Sequence, residues 1–291
     1  MNRDILHGES SARTEAALYV VATPLGNLQD ITLRALEVLN AVDVIAAEDT
    51  RVVRKLLDHH GIRTPTMALH EHNERVATQR VIDLLAQNKA VALVSDAGTP
   101  AISDPGALLV KRVREHGFAV TPVPGPSALI AALSVAGIAS TQFLFLGFPP
   151  AQRAARRKLL ESVARLPFAI VLYEAPHRVR GTVEDIATAL GGERELVIAR
   201  ELTKMFEQVH RCAAGQAAAW FDADSNRLRG EFVLIVDSAG EMESDDLEAA
   251  ERTLHVLLNA LPLKQAVQLA VEITGVKRNL LYERALTIKN E

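Results

Sequence analysis

Short apolar runs alternate with longer amphipathic segments over residues 17–138. The runs ALYVVA, VDVIAA, AVALVS and AVTPVP are rich in Val, Ala and Ile, and each leads into turn-forming residues. Between them lie LRALEVLNA, ERVATQRVIDLLAQ and GALLVKRVREHG, in which apolar residues recur three to four positions apart. Because strands that alternate with amphipathic helices form helix-covered parallel sheets, this pattern predicts an N-terminal α/β domain with a mostly parallel sheet.

The pattern changes from residue 142 onwards. The apolar runs FLFLGF, FAIVLYEA, ELVIARELT and GEFVLIVD predict strands, which are joined by longer irregular segments and by one helix around residues 183–190. We therefore expect a second α/β domain over residues 142–238, with a mixed sheet. A linker is expected between the two domains, at residues 137–141.

The two ends of the chain carry other patterns. Residues 1–16 are mostly polar and lack the apolar centre of a signal peptide, which predicts a flexible tail. The polar stretch SAGEMESDD at residues 238–246 predicts a second linker. Beyond it, residues 247–288 show only helical periods, so that residues 246–291 are predicted to form a small α-helical appendix.

Composition limits the classes of protein to which the chain can belong. Its 291 residues, 48% hydrophobic and 23% charged, are enough for two or more globular domains. A single cysteine, Cys212, excludes an internal disulfide framework and a cysteine-rich zinc site, which fits a reducing cytoplasm. No apolar run approaches the ~18 residues of a membrane span. We therefore expect a cytoplasmic protein with neither a metal nor a membrane partner.

Three loops rich in Gly, Pro and small polar residues follow predicted parallel strands. They are TPLGN (residues 23–27), SDAGTPAISDPG (95–106) and the start of PVPGPSALIAAL (122–133), where Ser127 is expected to cap a helix. In α/β folds, loops at the carboxyl ends of strands bind ligands. TPLGN alone is compatible with a bare turn and lacks the G-x-G-x-x-G spacing of dinucleotide sites, but three such loops at one edge predict a pocket.

Charged residues follow three further predicted strands, in AAEDTR (residues 46–51), YEAPHRV (173–179) and ARELTKMFEQ (199–208). These side chains could bind a substrate. They could equally begin the next helix, as Asp49 would at an N-cap, or form surface ion pairs. The segments alone leave both interpretations open.

Seven segments in this order and spacing resemble the tetrapyrrole-methylase superfamily: ATPLGNLQDITLRALEVL, AEDTR, SDAGTPAISDPG, PGPSA, FLGFPP, YEAPHR and ARELTK. More narrowly, they are similar to its bacterial branch of 16S ribosomal RNA cytidine 2′-O-methyltransferases. The similarity covers residues 17–237, and residues 261–286 resemble the small C-terminal domain of many members of that branch. Many tetrapyrrole-acting relatives carry Gly-Asp-Pro where this chain has Gly98-Thr99-Pro100, which weakens any transfer of porphyrin-specific roles.

The resemblance implies a class III methyltransferase fold, in which two α/β domains enclose a cleft for S-adenosylmethionine (SAM). It also implies a homodimer and SAM-dependent 2′-O-methylation of the decoding-site cytidine, cytidine 1402, of 16S ribosomal RNA (rRNA) in the 30S ribosomal subunit. Aligned motif by motif, the cofactor contacts would come from Pro24, Leu25, Gly26, Asp96, Gly98, Thr99, Ile102, Ser127, Ala128, Ala175, Arg200, Glu201 and Gly230.

A ribose hydroxyl is a poor nucleophile until it is deprotonated, so that a general base would accelerate its methylation. The side chains on the motif loops that could act as this base are His177, Glu48, Asp49, Glu201 and Glu174. His177 is a candidate because a free imidazole titrates near neutral pH. Arg51, Arg178 or Lys204 could orient a phosphate or stabilise the alkoxide. The sequence does not choose among them.

Basic side chains that could contact RNA phosphates occur at two places, although the net charge of the chain is −4. The first set consists of Arg153, Arg156, Arg157 and Lys158, on a segment expected to be mobile, together with Arg178. In ITGVKRNLLYERAL, Lys277 and Arg278 follow Gly275 as in the second half of a helix-turn-helix. Either set could instead be a solvated helix face or a packing surface.

Two alternatives to an RNA 2′-O-methyltransferase stay open. The first is a SAM-dependent methylase of a small tetrapyrrole-like substrate, which would need neither the basic run nor the helical tail. The second is a regulator that binds nucleic acid through the helical tail, which would have no use for dense polar loops at a sheet edge. An RNA 2′-O-methyltransferase is therefore the leading hypothesis.

Overall fold

The computed structural model describes residues 15–138, 140–239 and 244–290 of the chain. Residues 1–14 of the predicted tail and residues 240–243 of the predicted linker lie outside these residues. Two five-stranded sheets, each covered by helices, are followed by a group of three helices. The predicted fold class, with its helical C-terminal region, is confirmed.

The first sheet consists of parallel strands only. They are β1 (Ala17–Val21), β2 (Val44–Ala47), β3 (Thr66–Ala68), β4 (Val91–Val94) and β5 (Ala119–Val123). Their order is β3-β2-β4-β1-β5. Since all strands run the same way, all of their carboxyl ends reach one edge of the sheet, where ligands bind in open α/β folds.

Helices follow the strands of the first sheet: α1 (Leu33–Ala41), α2 (Thr50–His59), α3 (Glu74–Ala86), α4 (Ala107–Glu115) and α5 (Ala128–Ala136). Side chains of β1 alternate between two cores: Val21 packs with α1 and α2, and Leu18 packs with α3 and α4. The Thr32 and Asp49 side chains accept hydrogen bonds from the first turns of α1 and α2. The predicted N-cap at Asp49 is thereby confirmed.

The second sheet is mixed. Its strands are β6 (Phe143–Gly147), β7 (Ala169–Glu174), β8 (Glu195–Arg200), β9 (Gln208–Ala213) and β10 (Phe232–Val236), in the order β6-β7-β10-β8-β9. Only β6 and β7 pair in parallel among the described strands of this sheet. One face is covered by α6 (Arg153–Val163), α7 (Val179–Leu190) and α8 (Ala217–Asp222), around the fully buried Phe221.

The other face of the second sheet is covered by α5, although α5 follows the last strand of the first sheet. Leu129, Ala132 and Ala136 of α5 form one core with Val197 and Val233. The helix therefore joins the two sheets. Because its first residues leave the edge of the first sheet and its body packs on the second, it fixes how the two units face each other.

The C-terminal helices are α9 (Ser244–Leu258), α10 (Leu263–Thr274) and α11 (Arg278–Asn290). They share a small apolar core of their own, which includes Leu254, Val267 and Leu281. Gly275 ends α10 with a φ of 72°, a left-handed conformation that glycine adopts without strain. Within the described ranges, no helix has the length and apolar character needed to cross a membrane.

Candidate active site

A cavity of about 430 Å³ lies between the two sheets, at the carboxyl edge of the first sheet. Its volume is typical of small-molecule and cofactor sites. The first-sheet wall consists of Leu25, Glu48, residues 96–99, Ile102 and Asp104. The second-sheet wall consists of Phe148, residues 173–176, Ala199, Leu202 and residues 231–233. Ser127 and Ala128, at the start of α5, complete the lining.

The three glycine- and proline-rich loops are joined to one another by hydrogen bonds. Thr23 N donates to Gly98 O at 2.8 Å, and Gly98 N donates to Thr23 O at 2.9 Å. The Thr23 hydroxyl donates to Ser95 O at 3.1 Å. The Thr99 hydroxyl donates to Pro126 O at 3.0 Å. The loops after β1, β4 and β5 therefore form one continuous surface, which agrees with the pocket that their common edge predicted.

Gly26 of the TPLGN loop lies against the second sheet unit rather than in the cavity. A Cβ atom at this position would overlap the Lys204 side chain. The Lys204 ammonium group in turn donates to Glu201 Oε1 at 2.8 Å and to Glu231 Oε2 at 2.9 Å. The glycine is thus explained by the close approach of a lysine from the other half of the molecule.

Strained backbone is concentrated in two loops beside the cavity. In the described part of the chain, five residues other than glycine have a positive φ, and four of them lie in these loops: Ala101 (65°), Ser103 (64°), Glu201 (50°) and Thr203 (67°). A non-glycine residue in this region costs energy and persists only where the surroundings fix it. Such strain is typical of functional loops.

Three carboxylates, Glu48, Asp96 and Asp104, line the first-sheet wall. Burial raises the pKa of Asp104 to about 6; a hydrogen bond from Ser95 opposes the shift, and the charge of Asp96 reinforces it. Burial, reinforced by the charges of Asp104 and Asp96, also raises the pKa of Glu48. Burial raises the pKa of Asp96 too. The wall therefore concentrates negative charge, which would attract a cationic ligand.

Tyr173 connects the second-sheet wall to α5. Its hydroxyl oxygen accepts a hydrogen bond from Leu129 N at 3.0 Å. Its ring meets the Phe148 ring at 5.6 Å between centroids, with the planes at 64°. Ser127 occupies the N-cap position of α5, but its side chain makes no capping hydrogen bond. The first turn of α5 is thus capped by the Tyr173 hydroxyl, and not by the Ser127 side chain as expected.

Eight of the thirteen predicted cofactor residues line the cavity: Leu25, Asp96, Gly98, Thr99, Ile102, Ser127, Ala128 and Ala175. The other five, Pro24, Gly26, Arg200, Glu201 and Gly230, do not line it. The Arg200 guanidinium group donates to the backbone oxygens of Arg229 at 2.6 Å and Asn226 at 2.8 Å, which holds it away from the cavity. Glu201 is held by Lys204, and a Cβ at Gly230 would overlap Glu201.

The structure separates the predicted general bases. Glu48 and Glu174 line the cavity, whereas Asp49, Glu201 and His177 do not. Hydrogen bonds from the Arg51 side chain and backbone lower the pKa of Asp49 to about 2. Burial would raise the pKa of Glu201, but hydrogen bonds from Lys204 and from Glu231 N outweigh it, so that the pKa is lowered. His177 is exposed in the turn before α7.

Glu174 is 2% exposed, and both of its carboxylate oxygens have partners inside the protein. It accepts from Ala175 N at 2.8 Å and from the Thr182 hydroxyl at 2.6 Å, and it forms an ion pair with Arg178 at 3.2 Å. Arg178 also donates to Pro149 O. The predicted RNA contact Arg178 is thus engaged inside the protein, where it holds the loop after β7.

The predicted basic run lies on a regular helix, α6, and not on a mobile segment. Arg156 is 6% exposed and donates to Asp185 Oδ2 at 2.7 Å, and Asp185 is fully buried. Arg153 donates to Asp185 Oδ1 at 2.9 Å, although most of its side chain is exposed. The prediction that Arg156 contacts RNA is therefore wrong in this structure, because the side chain anchors α6 to α7. Lys158, Lys277 and Arg278 are exposed.

Several lining residues were missing from the predicted set. Asp104, Phe148 and Tyr173 are the clearest cases. They belong to the segments SDAGTPAISDPG, FLGFPP and YEAPHRV, so that their segments were found but their side chains were not chosen.

Two sequence families match the chain. The family described as Tetrapyrrole (Corrin/Porphyrin) Methylases matches residues 17–218, and the RsmI C-terminal HTH domain matches residues 243–289. The second match agrees with the helix–turn–helix pattern of α10, Gly275 and α11.

Curated relatives match along nearly their whole length. Ribosomal RNA small subunit methyltransferase I of Escherichia coli O157:H7 is 49% identical over 278 residues, which cover 96% of this chain and 97% of that protein. The protein of the same name from Pseudomonas aeruginosa is 50% identical over 271 residues, covering 92% and 96%. Its counterpart from Neisseria meningitidis serogroup A is 47% identical over 287 residues, covering 98% of each.

Solved structures share the fold at lower identity. A cobalamin biosynthetic enzyme, cobalt precorrin-4 methyltransferase, has a TM-score of 0.60 and 17% identity, covering 80% of this chain and 99% of that one. Uroporphyrin-III-C-methyltransferase from Thermus thermophilus has a TM-score of 0.54 and 20% identity, covering 76% and 94%. The chain therefore belongs to the tetrapyrrole methylase family and, within it, to the branch whose members carry the name ribosomal RNA small subunit methyltransferase I.

Proposed function

We propose that the protein transfers the methyl group of SAM to the ribose 2′-oxygen of cytidine 1402 in 16S rRNA. The observation that carries this proposal is the 49% identity to a ribosomal RNA small subunit methyltransferase over 96% of the chain, C-terminal helices included. The solved tetrapyrrole methylases share 17% and 20% identity, which supports a common fold and leaves the substrate open. An rRNA substrate also implies that the protein works in the cytoplasm.

The chemistry of the cavity fits SAM. Leu25, Ile102, Phe148 and Phe232 provide apolar surface for an adenine ring and an aliphatic chain. The Glu48 and Asp96 carboxylates of the first-sheet wall provide negative charge for a sulfonium and an ammonium group. SAM would supply an electrophilic methyl carbon on a positively charged sulfur. The eight lining residues of the predicted cofactor set, from Leu25 to Ala175, are the ones that we expect to hold it.

The protein's own residues would position and desolvate the reacting groups. The apolar walls exclude water, which strengthens the electrostatic interactions inside the cavity. Tyr173 holds the start of α5 against the cavity through Leu129 N. Arg51, whose side chain is 88% exposed, lies next to this edge and would meet an RNA phosphate there. Positioning of this kind lowers the barrier by up to ~7–11 kcal/mol in favourable cases.

The C-terminal helices would dock the rRNA. Lys277 and Arg278 are exposed where α11 begins, directly after the turn at Gly275. A Lys277→Ala/Arg278→Ala variant should raise KM for 30S subunits and reduce the salt dependence of binding by about one to two ions, with SAM affinity unchanged. Lys264→Ala, which removes an exposed charge from α10, is the matched control. An unchanged salt dependence would argue against docking by these residues.

A homodimer is the expected assembly. Near the edge strand β9, Met205, Phe206 and Val209 are 90%, 66% and 42% exposed, which is unusual for apolar side chains that stay in water. Light scattering coupled to size exclusion should give twice the monomer mass of 31.6 kDa. Phe206→Glu should shift the protein towards the monomer. A wild-type protein that elutes as a monomer at micromolar concentration would contradict the proposal.

The activity itself is tested with radiolabelled SAM on three acceptors: 30S subunits that lack the modification, naked 16S rRNA and a tetrapyrrole. We expect label in rRNA and a primer-extension stop at cytidine 1402, since 2′-O-methylation slows reverse transcription at low nucleotide concentration. Label in the tetrapyrrole alone would refute the proposal. Binding of RNA without any transfer would instead support a nucleic-acid-binding regulator.

A further inference from the structure

Resting on the function proposed above, we propose that Asp104 is the general base that accepts the proton of the ribose 2′-hydroxyl group. Asp104 lines the cavity in the loop after β4, within the segment SDAGTPAISDPG. Asp104 is not one of the five side chains that the sequence suggested as the base. The inference depends on where Asp104 lies, which partners it has, and how rigidly its loop is held.

Three of the other acidic candidates are less suited to the task. Asp49 is bound by Arg51, and Glu201 is bound by Lys204 and by Glu231 N. Glu174 accepts two hydrogen bonds and an ion pair inside the protein, so that its oxygens are occupied. The pKa values of Asp49 and Glu201 are lowered by these partners, which makes both carboxylates weak bases. These three side chains therefore act in holding loops.

The groups that face Asp104 keep its carboxyl basic. Glu48 and Asp96 face it from the first-sheet wall with like charge, and Tyr173 faces it from the second-sheet wall. The nearby Ser95 hydroxyl lowers the pKa of Asp104 in part. Burial is the main reason that the pKa of Asp104 rises to about 6. The carboxyl is thus ionised at neutral pH and is still a stronger base than an ordinary aspartate, as general bases should be.

Asp104 sits in a loop that is fixed from both sides. Gly106 N donates to Glu74 Oε1 at 2.9 Å, which ties the end of the loop to the start of α3. On the other side, a methyl group at Gly147 would lie 3.0 Å from Ser103 Oγ, so that the loop touches the end of β6. Asp104 lies between these two contacts, and Ser103, which precedes it, has a φ of 64°. The carboxyl is therefore positioned at the seam between the two sheets before any ligand binds.

In the proposed reaction, the Asp104 carboxylate would accept the 2′-hydroxyl proton while the 2′-oxygen takes the methyl group. SAM would supply that methyl group and would keep the electron pair of the broken carbon–sulfur bond as a neutral thioether. The proton leaves Asp104 to water after the methylated RNA departs. Charge and atoms balance without a further reactant.

The test compares Asp104→Asn with the wild type in single-turnover methyl transfer to 30S subunits between about pH 5 and pH 8. We expect the wild-type rate to rise with pH to a plateau above about pH 6, and the Asp104→Asn rate to be lower by ~10²–10⁴-fold without this rise. SAM affinity, measured by calorimetry, should change by less than about threefold. Asp58→Asn removes an exposed aspartate of α2 and is the matched control.

Three outcomes would overturn the assignment while leaving the proposed function intact. They are an Asp104→Asn rate within about tenfold of the wild type, a retained pH dependence in that variant, and a loss of SAM binding that accounts for the whole defect. Asp104→Glu keeps a carboxylate and should recover part of the rate with a pH dependence, which a purely structural role would not require. If the wild type itself transfers no methyl group to RNA, the proposed function fails, and the assignment fails with it.

Discussion

The two walls of the cavity differ in how they treat their carboxylates. On the first-sheet wall, burial and mutual repulsion raise the pKa values of Glu48, Asp96 and Asp104. On the second-sheet side, carboxylates are held by cations: Glu174 by Arg178, and Glu201 and Glu231 by Lys204. Burial opposes the ionisation of the first set, whereas each carboxylate of the second set has a cationic partner within 3.2 Å.

This difference indicates that the two walls of the cavity have different roles. Groups with raised pKa values in a cleft are candidates for binding cations and moving protons. Groups that are satisfied by ion pairs and backbone amides hold loops in place. The parallel sheet would thus supply the chemistry, and the mixed sheet would supply the frame that closes the cavity. Substitutions on the two walls should therefore have opposite effects on stability.

The largest effect on stability is expected from Glu174→Ala on the second-sheet wall. It leaves Arg178, the Thr182 hydroxyl and Ala175 N without their acceptor, which should lower the free energy of unfolding by about 3 kcal/mol. Urea denaturation measures this change in the free energy of unfolding. Glu161→Ala removes an exposed glutamate of α6 and should change stability by less than about 0.5 kcal/mol. If Glu174→Ala also changed the free energy of unfolding by less than about 0.5 kcal/mol, the Glu174 carboxylate would not be what holds the second-sheet wall.

Asp96→Asn on the first-sheet wall should weaken SAM binding and leave the fold intact. The amide oxygen can still accept the hydrogen bond that Asp49 N donates to Asp96 Oδ1 at 2.9 Å. The lost negative charge should lower SAM affinity about tenfold, or ~1.4 kcal/mol. Calorimetry with SAM and with the neutral product S-adenosylhomocysteine separates the causes. If the affinity for both falls equally, the sulfonium charge is not what Asp96 recognises.

Asp104→Asn should stabilise the folded protein at neutral pH. The carboxyl has a folded-state pKa of about 6 against an ordinary value of 3.8, so that the folded state retains a proton that the unfolded state has already lost as pH rises between these values. The free energy of unfolding of the wild type therefore falls as pH rises between these two values, and the full loss is present above about pH 6. With allowance for solvent screening, the variant should gain about 1 kcal/mol at about pH 8, and the gain should vanish below about pH 4.

Thermal unfolding of Asp104→Asn and the wild type across this pH range measures the gain. If the variant and the wild type were equally stable at all pH values, burial on the first-sheet wall would not raise the pKa of Asp104. The contrast between the two walls would then disappear.

The smallest effect is expected from Lys204→Met. Methionine keeps an aliphatic chain over Gly26 but removes the ion pairs with Glu201 and Glu231. Because Lys204 and Glu231 are partly exposed, the loss should be only about 0.5–1 kcal/mol, and it should shrink as salt is added. Chemical denaturation at low and high ionic strength tests this. A loss above about 2 kcal/mol would mean that this ion-pair group is a main support of the interface between the units.

Much of the fold could be predicted from the sequence because many helices and strands have a clear pattern of hydrophobic residues. The segment LRALEVLNA matches α1, and the apolar runs match the central strands. The strands β3 and β9 were not predicted. With three residues, β3 is too short to show a hydrophobic period. The strand β9 (QVHRCA) is polar because it lies at the edge of its sheet. The predicted helix around residues 183–190 begins earlier, at Val179, since Arg178 and Glu174 stabilise its first turn.

The candidate site could be predicted by segment better than by side chain. Eight predicted cofactor residues line the cavity because loops at the carboxyl edge of a parallel sheet must converge. Arg156 and Arg200 illustrate the limit, since a charged residue in a sequence does not reveal a buried partner. Asp185 engages Arg156, and backbone oxygens engage Arg200. His177 was chosen for the chemistry of imidazole, but its exposed turn does not line the cavity.

The sequence by itself determined the order of strands and helices, the loops that meet at one sheet edge and the family to which the chain belongs, because turn chemistry, apolar period and motif spacing are local properties. The tertiary structure alone decided which carboxylates are neutralised and which stay basic. That depends on contacts between residues far apart in the chain: Lys204 packs over Gly26, Ser103 touches Gly147, and α5 leaves one sheet to cover the other. Asp104 becomes distinct from the other acids only through its burial at that seam.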